Sequence, residues 1–413
     1  MPSINELIFK KCPNGVEFKT LNEVFIQFNG MTGVSKKWAD EGNCKFIDYM
    51  NAYKNIKIDV NRLENATVTK MSQNTLKVGD ILLTCASETP DECAISSVIE
   101  DDIIDNVFLD DHLFGIRVKD EYASIINTSF INYYFHCNIF RKELNKAVRG
   151  VTRFYISNDA FMKLEIPVPP KEVQDEIVRI LDNFTELTAE LTAELTARKK
   201  QYEHYRNYLL ENLEGSEVNL DKICKFTRGP FGGALKKEIF VKNGYPVYEQ
   251  QNAIYNNLNF RYFVTEKKYI SMMRFEVQPN DLIMSCSGTI GKVMVVPEKA
   301  PKGIINQALL KLTPNEKVNS NFLKYVFDDY ITKKMNESAR GGALKNVPSV
   351  DTLKKIKIKL PPLHEQIKMV ELLDKFEKLC NNLQSGLPAE IKYRQQQYEY
   401  YRDKLLNFKR LEV

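Results

Sequence analysis

LEIPVPPKEVQDEIVRILDNF, residues Leu164–Phe184, is answered by IKIKLPPLHEQIKMVELLDKF, residues Ile356–Phe376. Each copy leads to a second shared phrase, QYEHYRNYLLENL from Gln201 and QYEYYRDKLLNFK from Gln397. Pro169-Pro170 and Pro361-Pro362 mark helix starts, because a proline in the first turn gives up an N–H that has no helical partner there. Apolar residues follow at helical spacing: Ile177, Leu181, Phe184, Leu187, Leu191 and Leu195. Such a narrow stripe has to pack on something. Its own duplicate is the obvious partner, giving a two-helix coiled coil within one chain; the other reading packs each helix on its own domain. The copies differ in the middle. The first carries TAELTAEL (Thr188–Leu195), whereas Ser385-Gly386-Leu387-Pro388 should break or kink the second.

The repeat extends beyond the helices. GVSKKWADEGNCKFIDYMNAYKN (Gly33–Asn55) matches GALKKEIFVKNGYPVYEQQNAIYN (Gly233–Asn256), and LKVGDILLTCAS (Leu76–Ser87) matches VQPNDLIMSCSG (Val277–Gly288). AVRGVTRFYISNDAFMKLEIPVPP (Ala147–Pro170) matches ARGGALKNVPSVDTLKKIKIKLPP (Ala339–Pro362). Shared phrases in one order make the chain a tandem duplication. The runs DILLTCA and DLIMSC read as buried strands. FINYYFHCNIFRKELNKAV and FLKYVFDDYITKKMNESA read as helices. The expected fold is α+β: two tandem pseudo-symmetric domains over residues 1–165 and 215–357, with repeat helices over 166–214 and 358–413.

Composition narrows the function. A 43% hydrophobic and 27% charged share is that of a globular protein, and 413 residues suggest two or three domains. No apolar run approaches bilayer length and the N-terminus has no signal-peptide core, so a cytoplasmic protein is expected. Eight cysteines without a CxxC pair and four isolated histidines argue against a metal site. SGTIGKV (Ser287–Val293) fails as a phosphate loop, since Cys286 stands for its first glycine and Val293 for its final Ser/Thr. No catalytic residue and no cofactor is expected. The chain reads as a recognition protein or a scaffold rather than a catalyst.

A net charge of +4 permits nucleic-acid binding without demanding it, so local clusters count for more. Lys36-Lys37 and Lys236-Lys237 follow glycines, where amines suit phosphate contacts or a solvated surface. Asn51 with Tyr53, and Gln250-Gln251-Asn252, offer amides that can pair with adenine or simply build turns. The glycine loops before each repeat helix add Arg149, Thr152 and Arg153, then Arg340, Lys345 and Asn346. Recurrence at matching places favours DNA contact for the set. Tyr202, Tyr205, Arg206, Tyr398, Tyr401 and Arg402 suit either intrachain packing or a partner surface.

With the Pro-Pro helix openings, the TAEL tetrapeptides and the QYEHYRNYLL and QYEYYRDKLL closings, the whole chain resembles the specificity subunit of type I restriction–modification systems. The resemblance implies two target-recognition domains, each binding one half of a bipartite, asymmetric DNA site. It also implies that the repeat helices form an antiparallel coiled coil whose TAEL copy number sets the spacer. It implies no chemistry of the chain's own, two adenine-methyltransferase subunits as partners, and then DNA-translocating restriction subunits. The alternative is a duplicated scaffold whose domains bind proteins.

Overall fold

In the computed structural model of the chain, the described residues are 4–38, 41–70, 73–286, 289, 291–339, 349–381 and 386–412, with backbone alone at 36, 232, 330–339 and 381. The chain divides into two units, Met1–Thr192 with Glu390–Val413, and Ala193–Ala389. Both units therefore borrow chain. The first contains the closing part of the second repeat helix, and the second contains the closing part of the first.

The first unit is built on an antiparallel sheet in the order Phe25–Asn29, Leu113–Val118, Ile81–Thr84, Ser96–Val98. Ile81–Thr84 is buried along its whole length, as its unbroken apolar run predicts. A second sheet orders Val34–Lys37, Glu64–Val68, Cys44–Ile47 and Val107–Leu109, the last pair parallel. Glu17–Thr20 pairs with Glu165–Val168 and so closes the domain at the repeat-helix entrance.

The second unit repeats this plan. Its antiparallel sheet runs Cys224–Arg228, Leu309–Pro314, Leu282–Ser285, Val293–Val295, again with the Leu282–Ser285 strand wholly buried. Its other sheet contains the matching parallel pair, Tyr245–Tyr248 with Gly303–Ile305. Ser216–Asn219 closes on Lys357–Leu360.

One expected helix differs. The segment Phe130–Val148 forms two helices, Thr128–Phe135 and Asn138–Ala147, while its counterpart Ser320–Ala339 is continuous. At the break Asp403 accepts from the backbone N–H of Asn138 at 3.0 Å and so satisfies a donor at the start of the new helix that has no helical partner.

The first repeat helix spans Lys171–Glu211 without interruption. The second is described as Leu363–Asn381 and Leu387–Leu405. Gly386 between them takes a left-handed φ of +79°, and Ser385 lies outside the described residues. Both packing arrangements weighed from sequence occur together. In the first unit Val173, Ile177 and Leu181 join one core with Leu405 and Leu406, and Phe184 stacks on Tyr401 at 5.5 Å. In the second unit Met369, Val370 and Leu373 pack with Tyr202, Leu209 and Leu213, and Phe376 stacks on Tyr205 at 6.2 Å. Within each unit an opening helix end thus meets a closing one, so the pairing is antiparallel. No described helix is long and apolar enough to cross a membrane.

Candidate nucleic-acid interface

The two units share buried polar anchors. Gln174 is fully buried; its amide donates to the carbonyls of Ile125 and Pro169 and accepts from the Asn127 N–H. Gln366 makes the same three bonds, to Lys317, Pro361 and Asn319. Tyr133 donates to Asp182 at 2.6 Å, and Tyr325 donates to Asp374 at 2.6 Å. Burial first, and then these carboxylates, push both phenols far up. Asp80 receives Arg117 bidentately, whereas its counterpart Asp281 takes Thr313 and Lys311 instead. The glutamine and tyrosine anchors tie a core helix of each unit to its repeat helix, while the two aspartates bond to the neighbouring strand of the sheet.

Against that frame the expected site residues sort by exposure. Asn51 and Asn252 occupy the third position of matching short helices, Tyr49–Lys54 and Gln250–Tyr255. Both are fully buried. Asn51 donates to the carbonyls of Asp59 and Arg62 and accepts from Asp59 N–H. Asn252 donates to the carbonyls of Asn257 and Asn259 and accepts from Glu249 N–H. The expectation that these amides read bases does not hold, because their hydrogen-bonding capacity is spent fixing their own loops. Ahead of them, Asp48 and Glu249 cap the helices and pair with Arg62 and Arg261.

Lys37 is also engaged. Its ammonium bonds Asp110 at 2.9 Å and contacts Asp111. Burial works against its charge, but the two carboxylates outweigh that and raise its pKa. Asp110, Asp111 and His112 are, among the described residues, the one group of ligand-type side chains close enough to share a cation, and Lys37 already sits against them. Lys36 lies in the strand Val34–Lys37, with its side chain outside the described set.

Tyr53 donates to Glu92 at 2.8 Å and stacks on Tyr49. Arg149, Thr152 and Arg153 are exposed on a tight hairpin that pairs with Ala86–Ser87. Gly150 in that hairpin has φ +123°, and a Cβ there would lie 1.9 Å from the Arg153 carbonyl oxygen. A chain of contacts joins these places: His112 carbonyl accepts from Cys85 N–H, and the neighbouring Ala86 carbonyl accepts from the Tyr49 hydroxyl. The first unit thereby collects Lys37, Tyr53, Arg149, Thr152 and Arg153 near one sheet end.

In the second unit Lys236 and Lys237 are exposed, and Gln250 and Gln251 are half-buried beside Asn252. Gln251 donates to the Asn259 carbonyl. Arg340, Lys345 and Asn346 lie outside the described residues.

The closing phrases pack internally. Tyr202 and Tyr398 are half-buried, with burial raising each phenol to about 12. The Arg402 guanidinium lies 5.5 Å from the Tyr398 ring centroid and also pairs with Asp403, while Arg206 reaches Asn207. Tyr205 and Tyr401 stack on Phe376 and Phe184 yet remain 43% and 39% exposed, so they can serve both packing and a partner surface.

The sequence reading passed over two exposed aromatics, Trp38 and Phe231. A signal existed for each: Trp38 is the single tryptophan, adjoining a lysine pair, and Phe231 sits in Gly-Pro-Phe-Gly-Gly.

Comparison with known proteins agrees with this two-fold plan. The family model described as type I restriction modification DNA specificity domain matches residues 13–198 and again 214–393. The specificity subunit of the type I restriction enzyme EcoR124I/EcoR124II of Escherichia coli is 35% identical over 273 residues, 63% of this chain and 67% of that protein. A type I restriction enzyme specificity subunit of Haemophilus influenzae is 33% identical over 279 residues, 63% of this chain and 68% of that one. A chain from a type I restriction–modification assembly shares the fold at 18% identity, TM-score 0.65, covering 96% of this chain and 99% of that chain. The HsdS subunit of Thermoanaerobacter tengcongensis does so at 18% identity, TM-score 0.55, covering 96% and 97%.

Proposed function

This chain belongs to the type I restriction–modification DNA specificity family, as a non-catalytic specificity subunit, and on that premise we propose how it divides its task. Each unit reads one half of a bipartite, asymmetric DNA site. The repeat helices set the separation of the halves. Two adenine-methyltransferase subunits and then restriction subunits act, in the cytoplasm, where the chain directs them.

The observation that carries this reading is the contrast between inside and outside. Both units repeat the same buried anchors, Gln174 with Gln366 and Asn51 with Asn252. At one matching place they differ outside: Lys37 is held by Asp110 and Asp111, whereas its counterpart Lys237 is exposed. A duplicated frame with unlike surfaces suits half-sites of opposed orientation and different sequence. Cations on loops hold register on phosphates, while arginine can also pair with guanine. Tyr205 and Tyr401, packed yet partly open, offer equivalent places for two methyltransferase copies.

Methylation profiling of cells with and without the gene tests the proposal. One bipartite adenine motif should vanish with the gene; an unchanged methylome refutes it. Deleting Thr192–Leu195 removes four helical residues, about 6 Å of rise and about 40° of rotation. The methylated motif should then keep both half-sites and change its spacer. An altered half-site would count against the helix as ruler.

A further inference from the structure

Trp38 and Phe231 are costly features that neither unit's own packing explains. Trp38 is 60% exposed and holds a left-handed backbone at φ +50°. Leaving a large ring in water forgoes burial, and a bulky residue in that region of backbone space is strained. The ring is nevertheless held. Phe46 meets it edge-on at 6.2 Å, and the Lys37 ammonium lies 5.7 Å from its centroid. Lys37 is in turn fixed by Asp110 and Asp111. These contacts brace the indole while leaving most of it uncovered.

Phe231 is 95% exposed, the most open large apolar side chain among the described residues. It follows the buried Pro230, and a Cβ added at Gly233 would meet nothing within 4 Å. The two aromatics lie in the corresponding stretch of each unit, though not at aligned positions. Each lies on the segment that leaves the main sheet at a glycine, Gly30 or Gly229. A Cβ on Gly30 would come 2.0 Å from the Asp110 carbonyl oxygen, and one on Gly229 would come 1.8 Å from that of Asn306. Past those fixed exits the two sequences differ: Trp38 directly follows Lys36-Lys37, whereas Phe231 precedes Lys236-Lys237 by five residues.

We propose that Trp38 and Phe231 are the apolar residues with which the two units enter the DNA groove, each packing against the bases of its own half-site as a wedge. This rests on the DNA-reading function proposed above. Aromatic and other apolar side chains gain by packing on base faces and thymine methyls or by opening a base step. The exposed Lys236 and Lys237, on the same stretch as Phe231, favour a polyanion over an apolar protein surface. Because Asp110 and Asp111 neutralise Lys37, the indole rather than that ammonium is what the first unit offers at this point. Lys37 is a positioning residue for Trp38.

The single tryptophan permits a direct test. The full specificity chain is produced with 5-fluorotryptophan and assembled with unlabelled methyltransferase subunits. It is titrated with a duplex carrying the motif found by methylome profiling, and with duplexes in which either half-site is scrambled. The one fluorine resonance of the chain should shift with the intact duplex, and should lose that shift when the half-site read by the first unit is scrambled. Trp38→Ala and Phe231→Ala should each weaken duplex binding about 10-fold or more, a loss of ~1.4 kcal/mol. Trp38→Phe should retain part of the affinity. A complex that binds the intact duplex with an unmoved resonance overturns the inference and leaves the proposed function standing. So does a resonance that moves on adding methyltransferase and not on adding DNA. If the unsubstituted complex binds no duplex, both readings fall.

Discussion

Replacing Gln174 with alanine should loosen the first unit and leave the second intact. The side chain is fully buried at the opening of the repeat helix. Its amide accepts from Asn127 N–H at 2.8 Å and donates to the carbonyls of Ile125 at 3.0 Å and Pro169 at 2.7 Å. Asn127 itself caps the helix Thr128–Phe135, so the glutamine joins a core helix, the repeat-helix entrance and the strand before it. Alanine deletes three hydrogen bonds at about 1 kcal/mol each and leaves buried partners unsatisfied, for a total of about 3–5 kcal/mol. For a unit of roughly 200 residues, that lowers the melting midpoint by about 6–20 °C. Glutamate is expected to cost at least as much at neutral pH, because its carboxylate would face two carbonyl oxygens without the donor that now satisfies them. Segment-resolved hydrogen exchange under increasing denaturant reads each unit separately. Gln366→Ala, in the same three-bond setting, should give the mirror result. A loss below about 1 kcal/mol, or equal weakening of both units by one substitution, would refute the account of these residues as unit-specific anchors.

Acid should act on the two units in opposite directions through matching positions. His136 follows the anchor Tyr133 by three residues, as Asp328 follows Tyr325. Burial holds His136 down at about 4, against its bond to Ser96 and with help from Arg141 and Arg402. Its contribution is present above the unfolded value near 6.5 and is lost as pH falls toward 4, up to about 3 kcal/mol. Burial raises Asp328 to about 6, against the pull of Lys324, Lys292 and Arg206 and with help from Glu377. Its contribution is present below the ordinary carboxylate value and is lost as pH rises to 6. Unfolding at pH 7 and pH 4.5 should therefore show His136→Gln and Asp328→Asn each flattening the response of its own unit; unaltered pH slopes would contradict this. Truncation after Ala389 should expose the first core by removing Leu405, Leu406 and Phe408 and the bidentate Arg410–Glu165 pair. Limited proteolysis should then cut residues 1–192 faster and spare the second unit; equal cutting would contradict the division of the chain.

The duplicated phrases were enough to read the repeat, the helix starts, the buried strands and the resemblance to a specificity subunit. Those features depend on local chemistry: prolines at first turns, period-two and period-3.6 patterns, and turn residues. The candidate interface was only partly legible. Lys236, Lys237, Arg149 and Arg153 are exposed as basic loop residues should be, whereas Asn51 and Asn252 are buried. An amide that satisfies a neighbouring loop and an amide that awaits a base have the same sequence signal. Only the backbone carbonyls folded around them distinguish the two cases.

By itself, then, the sequence determined that this protein is built twice and that its copied helices join the copies. Tertiary structure decided which parts of each copy cooperate. Closing-helix residues enter the core of the unit that contains the other copy's opening helix, so the units are not the contiguous halves that the repeat suggests. It also decided which polar side chains remain on the surface. Burial and hydrogen-bond saturation are long-range properties: they depend on residues tens or hundreds of positions away, as with Asp403 accepting from the Asn138 N–H.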